Sequence, residues 1–162
     1  MQLMVEATLA AAGYQHYETS AFARPGRRCQ HNLNYWLFGD YLGIGAGAHS
    51  KLSSPERILR QSRVKHPKDY LARAGGEAAI AENRELGRDD RLFEFMMNAL
   101  RLTEGYDPRL FSERTGLPPT AAEPGLAQAE AAGLIRRDWQ RVRPTGRGRR
   151  FLNELLQIFL NN

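Results

Sequence analysis

The sequence predicts a mixed α/β chain, on three observations. Short apolar runs alternate with helix-like stretches over residues 1–86. From Leu86 onward the pattern turns helical, with capping residues at the starts of successive helices. A hairpin pattern then separates the last helix from the three before it. The change falls near Gly87, which divides the chain into residues 1–86 and 87–162.

In the first part, Gln2 to Ala12 reads as a helix, with Met4, Val5, Thr8, Leu9 and Ala12 near helical spacing and Gly13 as its stop. Tyr14 to Ser20 reads as a strand and Ala23-Arg24-Pro25-Gly26 as a turn. Tyr41 to Ile44 is a second apolar strand, ending in glycines, and Arg57 to Val64 a third. His66-Pro67 opens a helix over Lys68 to Ala74, closed by Gly75-Gly76. These pieces have the order of β-α-β units at the edge of a parallel sheet.

In the second part, Asp89 to Leu102 is a helix with Leu92, Phe93, Met96, Ala99 and Leu100 on one face. Asp107-Pro108 starts another: an N-cap, then proline at the first helical position, with Gly116 past the end. Thr120 to Glu123 is a capping-box pattern for a third helix, Ala121 to Ala132, stopped at Gly133. Leu134 to Arg143 reads as a hairpin around Asp138-Trp139. Thr145 caps a last helix with Leu152, Leu155, Leu156 and Phe159 facing inward. Helix, helix, helix, hairpin, helix is the order of a winged-helix module.

Composition narrows the class. At 162 residues, 42% hydrophobic and 25% charged, the chain is an ordinary globular protein that buries a core without disulfides or structural metal. One cysteine, Cys29, excludes an internal disulfide framework and fits a reducing compartment. No apolar run reaches the roughly 18 residues of a membrane span, and residues 1–12 carry no signal-peptide pattern. A net charge of +5 and a pI near 9.7 point to an acidic partner: nucleic acid, anionic lipid or a carboxylate-bearing ligand. Seven arginines and one acid, Asp138, lie between Ile135 and Arg150, which also fits a solvated basic face.

Two stretches carry candidate chemistry. Gly43, Gly45 and Gly47 end a predicted strand, but no helix follows directly, so the dinucleotide fingerprint is not met. Glycines there let a ligand approach the backbone, or they form a bulge or tight bend. In His31-Asn32-Leu33-Asn34-Tyr35-Trp36, a helical turn would put His31 with Tyr35, and Asn32 with Trp36, on shared faces. The imidazole is a possible metal ligand and the rings could flank a planar molecule; equally, Tyr35 and Trp36 could be core. Metal-ligand spacing is otherwise poor: no C-x-x-C pair exists, and His16, His49 and His66 are scattered. Glu18 is either pocket-facing or an edge charge, and Asp40 reads as a turn residue. The third helix holds no basic residue, which speaks against a basic winged-helix regulator that reads nucleic acid.

"YETSAFARPGRRCQHNLNYW" (17–36), "DYLGIGAGAHS" (40–50) and "GLIRRDWQRVRPTGRGRRFLNELL" (133–156) resemble the haem-chaperone branch of the oxygen-independent coproporphyrinogen III oxidase-like family of radical SAM proteins. The H-N-x-x-Y-W string is the most specific part, since it separates haem chaperones from true oxidases. The resemblance implies that residues 1–86 are the tail of a partial (β/α) barrel and 87–162 the family's winged-helix-like C-terminal domain. It implies haem as ligand, with His31 as the haem contact and Asn32, Tyr35 and Trp36 beside it, and Gly43, Gly45 and Gly47 near a cofactor. It implies haem transfer to respiratory enzymes at the membrane, from a cytoplasmic protein peripheral at its inner face. The oxidase of porphyrin biosynthesis is the enzyme alternative. The family's [4Fe–4S] cluster needs a C-x-x-x-C-x-x-C motif, absent here. A C-terminal fragment is therefore expected, with neither cluster nor S-adenosylmethionine chemistry, and with an opened barrel edge that favours self-association through residues 14–64.

Overall fold

The computed structural model describes residues 2–160. In chain order they form α1 (Gln2–Ala11), β1 (Gln15–Glu18), β2 (Ala21–Ala23), α2 (Gln30–Trp36), β3 (His49–Ser53), β4 (Ile58–Arg63), α3 (Pro67–Arg73), β5 (Ile80–Glu85), α4 (Arg88–Ala99), α5 (Pro108–Thr115), α6 (Glu123–Ala131), β6 (Ile135–Arg137), β7 (Val142–Pro144), α7 (Gly146–Arg150) and α8 (Leu152–Gln157). The chain is mixed α/β, as expected. It makes two compact units: one from the residues up to Phe38 and from Leu92 on, the other from Gly39–Arg91.

The second unit is a three-stranded sheet in the order β3-β4-β5, antiparallel throughout. This corrects the parallel β-α-β expectation, and the reason is length. Residues 54–57 reverse the chain between β3 and β4, closed by Ser54 N–H donating to the Arg57 carbonyl (2.8 Å). α3 has 7 residues, roughly 10 Å of helix, too short to return the chain to the far end of a six-residue strand of roughly 20 Å. The expected strand at Tyr41 to Ile44 is not formed: Tyr41 alone bridges to Lys51. β2, β3 and β5 were not anticipated, being short or polar: Ala-Phe-Ala, His-Ser-Lys-Leu-Ser and Ile-Ala-Glu-Asn-Arg-Glu.

Lys51 is the unusual member of this sheet. Its side chain is 1% exposed, and Nζ donates to Asp40 Oδ1 (2.8 Å) and Ser53 Oγ (2.9 Å). Ser53 returns two bonds to the same carboxylate. Asp40 is therefore a counter-ion as well as a turn residue. Burial pushes its carboxyl up, but the hydrogen bonds from Lys51 and Ser53, with the ammonium charge, hold it below the usual carboxylate range.

The first unit is built around α4. Leu92, Phe95, Met96 and Ala99 are buried; Phe95 takes the inward place that spacing gave to Phe93, which is half-buried. Phe95 meets Phe38, Tyr106 and Phe111 edge-on, at 5.9, 5.0 and 5.3 Å between ring centroids. Burial pushes the Tyr106 phenol well above its ordinary value; its hydroxyl contacts Met96 Sδ.

Local capping chemistry explains α5. Asp107 accepts from Arg109 N (2.9 Å), Pro108 follows, and Gly116 closes the helix in the left-handed region at φ 70°. The Arg109 guanidinium and amide hold the Asp107 carboxyl down to about 2. The capping box at Thr120 is not formed. Pro118 and Pro119 steer residues 119–121 into a 3-10 turn, and α6 starts at Glu123 with no side-chain cap. Thr145 does cap α7, accepting from Gly148 N (3.0 Å). The last helix is interrupted at Phe151; Leu155 and Phe159 are buried, Leu152 and Leu156 only half so. In α1, Met4 and Val5 are exposed, so the expected apolar face is not buried.

Asp40→Asn takes the carboxylate charge away from the buried Lys51 ammonium. Urea unfolding of the variant at neutral pH should show a loss of about 2–3 kcal/mol, below the range for a fully enclosed pair because Asp40 is partly exposed. The wild-type contribution is full above the unfolded carboxylate value of about 4 and vanishes as pH falls through the lower folded value. A variant as stable as wild type at pH 7 would remove the pair from the account.

Candidate functional site

The H-N-x-x-Y-W string folds as α2, one helix of 7 residues. The i, i+4 spacing divides it into two faces. On one, His31 is exposed and meets Tyr35 edge-on at 4.7 Å between centroids. Among the described residues the His31 imidazole has no hydrogen-bond partner. On the other, Asn32 and Trp36 are half-buried.

Trp36 is held by a cation. The Arg101 guanidinium carbon lies 4.4 Å from its ring centroid. A partly desolvated contact of this kind contributes about 1–2 kcal/mol. Arg101 is in turn fixed by Glu18: Nε donates to Oε1 at 2.8 Å, and Nη2 lies 2.6 Å from the same oxygen in an ion pair. Glu18 is 2% exposed, and its second oxygen accepts from the Ser20 amide and hydroxyl, both 3.2 Å. The Trp36 indole N–H is enclosed and has no acceptor among the described residues. Of the two readings open for Glu18, a pocket-facing acid or an edge charge, neither describes it: it is the buried end of an ion pair.

The end of α2 is pinned as well. Leu37 N–H donates to Leu33 O (2.8 Å) and Phe38 N–H to Tyr35 O (3.0 Å). Phe38 adopts φ 55°, a conformation costly for a bulky residue. Its ring is 1% exposed and packed on Phe95, which compensates.

Ahead of α2, Arg28 forms a two-pronged ion pair with Glu104, both arms 2.8 Å. That hydrogen bonding, against a smaller burial effect, holds the Glu104 carboxyl below its ordinary range. Cys29 is exposed at the N-cap of α2 and caps nothing through its side chain.

The glycines lie in the other unit. Gly43 N–H donates to Ser50 Oγ (2.9 Å), and a Cβ there would collide with the His49 backbone. Gly45 and Gly47 have φ of 111° and 71°; their amides donate to the Tyr70 hydroxyl (3.2 Å) and the Val64 carbonyl (3.0 Å). Close approach and positive φ therefore account for the residue type at all three. Leu42 and Ile44, on either side of Gly43, are exposed, and with Gly43, Tyr70 and Gly75–Gly76 they line an open cavity of about 490 Å³.

The basic stretch is partly neutralised. Arg137 donates to Glu130 and Glu123 of α6, both 2.8 Å, and Arg143 approaches Asp138 at 3.3 Å. Arg136 sits directly across the hairpin from Arg143, and Trp139 at its tip is 85% exposed. Among the described residues no cluster of three or more metal-ligating side chains occurs, and no helix is long and apolar enough to cross a membrane.

Sequence reasoning missed Arg101 and Lys51. Each is one more basic residue in a basic chain, and only its distant carboxylate identifies it.

Residues 86–151 match the family described as HemN C-terminal domain. The chain is 45% identical over 153 residues to the heme chaperone HemW of Escherichia coli (strain K12) and 46% identical to that of Haemophilus influenzae, covering 94% of this chain and 39% of each relative. It is 32% identical to the heme chaperone HemW of Bacillus subtilis over 161 residues. It thus spans about two fifths of the length of the curated relatives it matches. The solved structure of coproporphyrinogen III oxidase (HemN) from Escherichia coli, a radical SAM enzyme, shares the fold, with TM-score 0.68 over 99% of this chain and 40% of that one at 20% identity.

Gly43→Ala should destabilise the sheet unit by about 1–3 kcal/mol, since backbone rather than a movable side chain meets the added methyl. Amide exchange in β3 and β4 reports it. Protection equal to wild type would mean the loop relaxes freely.

Proposed function

The chain belongs to the coproporphyrinogen oxidase-like family, in its haem-chaperone branch, and from that premise we propose that it binds haem through His31. One observation carries the reading: α2 presents an exposed imidazole with no hydrogen-bond partner among the described residues, braced edge-on by Tyr35, from a helix whose Trp36 side is fixed. A neutral imidazole nitrogen is a haem-iron ligand, and the supporting contacts set its direction. Tyr35 lies beside the porphyrin, with Asn32 and Trp36 completing the motif. Gly43, Gly45 and Gly47 stand near a cofactor in the proposal, supported by the open cavity beside them.

The cargo is passed on to haem-accepting respiratory enzymes, from a cytoplasmic protein peripheral at the inner face of the membrane. In this reading residues 1–86 are the tail of a partial (β/α) barrel and 87–162 a winged-helix-like module. The order α5, α6, β6–β7, α7 supports the latter. Self-association through residues 14–64 belongs to the same proposal. One cysteine cannot supply three thiolates, so the residues of this chain do not fit a [4Fe–4S] cluster. The oxidase reading gains nothing from a fold match at 20% identity.

Haem titration of the 162-residue chain, followed in the Soret region, tests the assignment. His31→Ala should weaken binding about tenfold or more and alter the Soret maximum. An unchanged maximum and affinity would remove His31 from the site.

A further inference from the structure

We propose that Arg101 is a positioning residue for α2: it clamps Trp36 and thereby fixes where His31 points. The proposal deepens the haem reading and rests on it for its functional consequence, but the clamp itself is a statement about structure alone.

α2 has little reason to hold its place by itself. It is 7 residues long, with no side-chain cap at its start, no acid in its first turn and no base in its last. Helices of two turns are marginal in water, so tertiary contacts must set its orientation. Those contacts lie on the Trp36 side and at the Phe38 end, whereas His31 faces solvent.

The indole needs a partner that fixes it, and among the described residues no hydrogen bond does so, because its N–H is enclosed without an acceptor there. What remains is the guanidinium at 4.4 Å. Arg101 suits that task because both its ends are tied. Its carbonyl accepts from the Thr19 amide (3.1 Å) and hydroxyl (3.3 Å). Its head is hydrogen-bonded through Nε and ion-paired through Nη2 to Glu18, whose other oxygen is bound by Ser20. Trp36 is thus attached, through one planar cation, to the buried end of β1. His31 lies five positions earlier on the same helix, roughly 7.5 Å along its axis. A tilt of α2 released at Trp36 therefore moves the imidazole. Within the motif, His31 and Tyr35 form the ligand face, and Asn32 and Trp36 the attachment face.

The test uses the 162-residue chain carrying Trp139→Phe, which leaves Trp36 as its one indole. Into this background go Arg101→Ala, Arg101→Lys and Glu18→Gln. Two readouts are taken: the Trp36 indole N–H resonance without haem, and haem affinity from the Soret titration. Arg101→Ala should shift and broaden the resonance and weaken haem binding about tenfold. Arg101→Lys should do nearly the same, since an ammonium keeps the charge but lacks the planar face. Glu18→Gln should fall between. Full recovery by lysine in both readouts would overturn the clamp, and so would an unmoved resonance in the alanine variant. Should Arg101→Ala fail to fold, the lysine variant decides. If wild type gives no Soret change, the haem reading fails and the resonance alone judges the clamp. If His31→Ala loses haem while both Arg101 variants keep it, the haem reading stands and the clamp falls.

Discussion

A carboxylate buried as deeply as Glu18 must find a cation, and much of the first unit is arranged around that requirement. Removing an ion from water costs several kcal/mol after relaxation, which the pair recovers only with good geometry and further hydrogen bonds. Arg101 supplies one donor and the charge of its guanidinium, and Ser20 two donors more. Glu18 bridges to Leu102, Thr103 N–H donates to the Tyr17 carbonyl (3.2 Å), and Tyr106 exchanges backbone bonds with Val142 at 2.9 and 3.0 Å. Residues 102–106 thus join the first hairpin to the last one. This is why the residues up to Phe38 form one unit with those from Leu92 on.

The aromatic cluster supplies the apolar complement. Phe95 gathers Phe38, Tyr106 and Phe111 from three other segments, all edge-on and all nearly inaccessible. Phe38 accepts an unfavourable backbone conformation to place its ring there. The strain falls directly after α2, so the same burial that stabilises the core terminates the candidate helix at a defined residue. Core packing and site geometry meet at Phe38.

Elements with complete local chemistry were legible in the sequence. Asp107, Pro108 and Gly116 frame α5 as read, Thr145 caps α7, and the apolar spacing of α4 places it correctly, with one ring assigned to the wrong position. Pairing was not legible. Three of the strands carry too few apolar residues to alternate visibly, and a seven-residue helix could not be recognised as too short for a parallel crossover. Thr120 failed as a cap because two prolines before it fix a different turn. In the candidate site, the i, i+4 relation of His31 and Tyr35 was readable. The attachment through Arg101 was not, because a cation's partner is a property of the folded chain. The glycines were noticed for their spacing, but their residue type answers to the His49 backbone and to positive φ.

The basic excess also looks different once its partners are known. Arg137 is committed to two carboxylates of α6, and this hydrogen bonding, first to Glu123 and then to Glu130, outweighs its burial and raises its affinity for the proton. Those carboxylates stand on the helix that a winged-helix DNA reader would insert into a groove. Placed there, Glu123 and Glu130 would meet phosphates with like charge, and freeing Arg137 to compensate would leave both acids unpaired. The other six arginines of the stretch lie elsewhere: Arg136, Arg141 and Arg143 on the hairpin, Arg136 opposite Arg143, and Arg147, Arg149 and Arg150 on α7, all exposed. Like charges paired across a strand are destabilising, so this surface is tolerated by solvent and salt rather than built to read bases. The distribution of charge thus speaks against nucleic-acid recognition on α6, in a chain whose net charge alone would suit it.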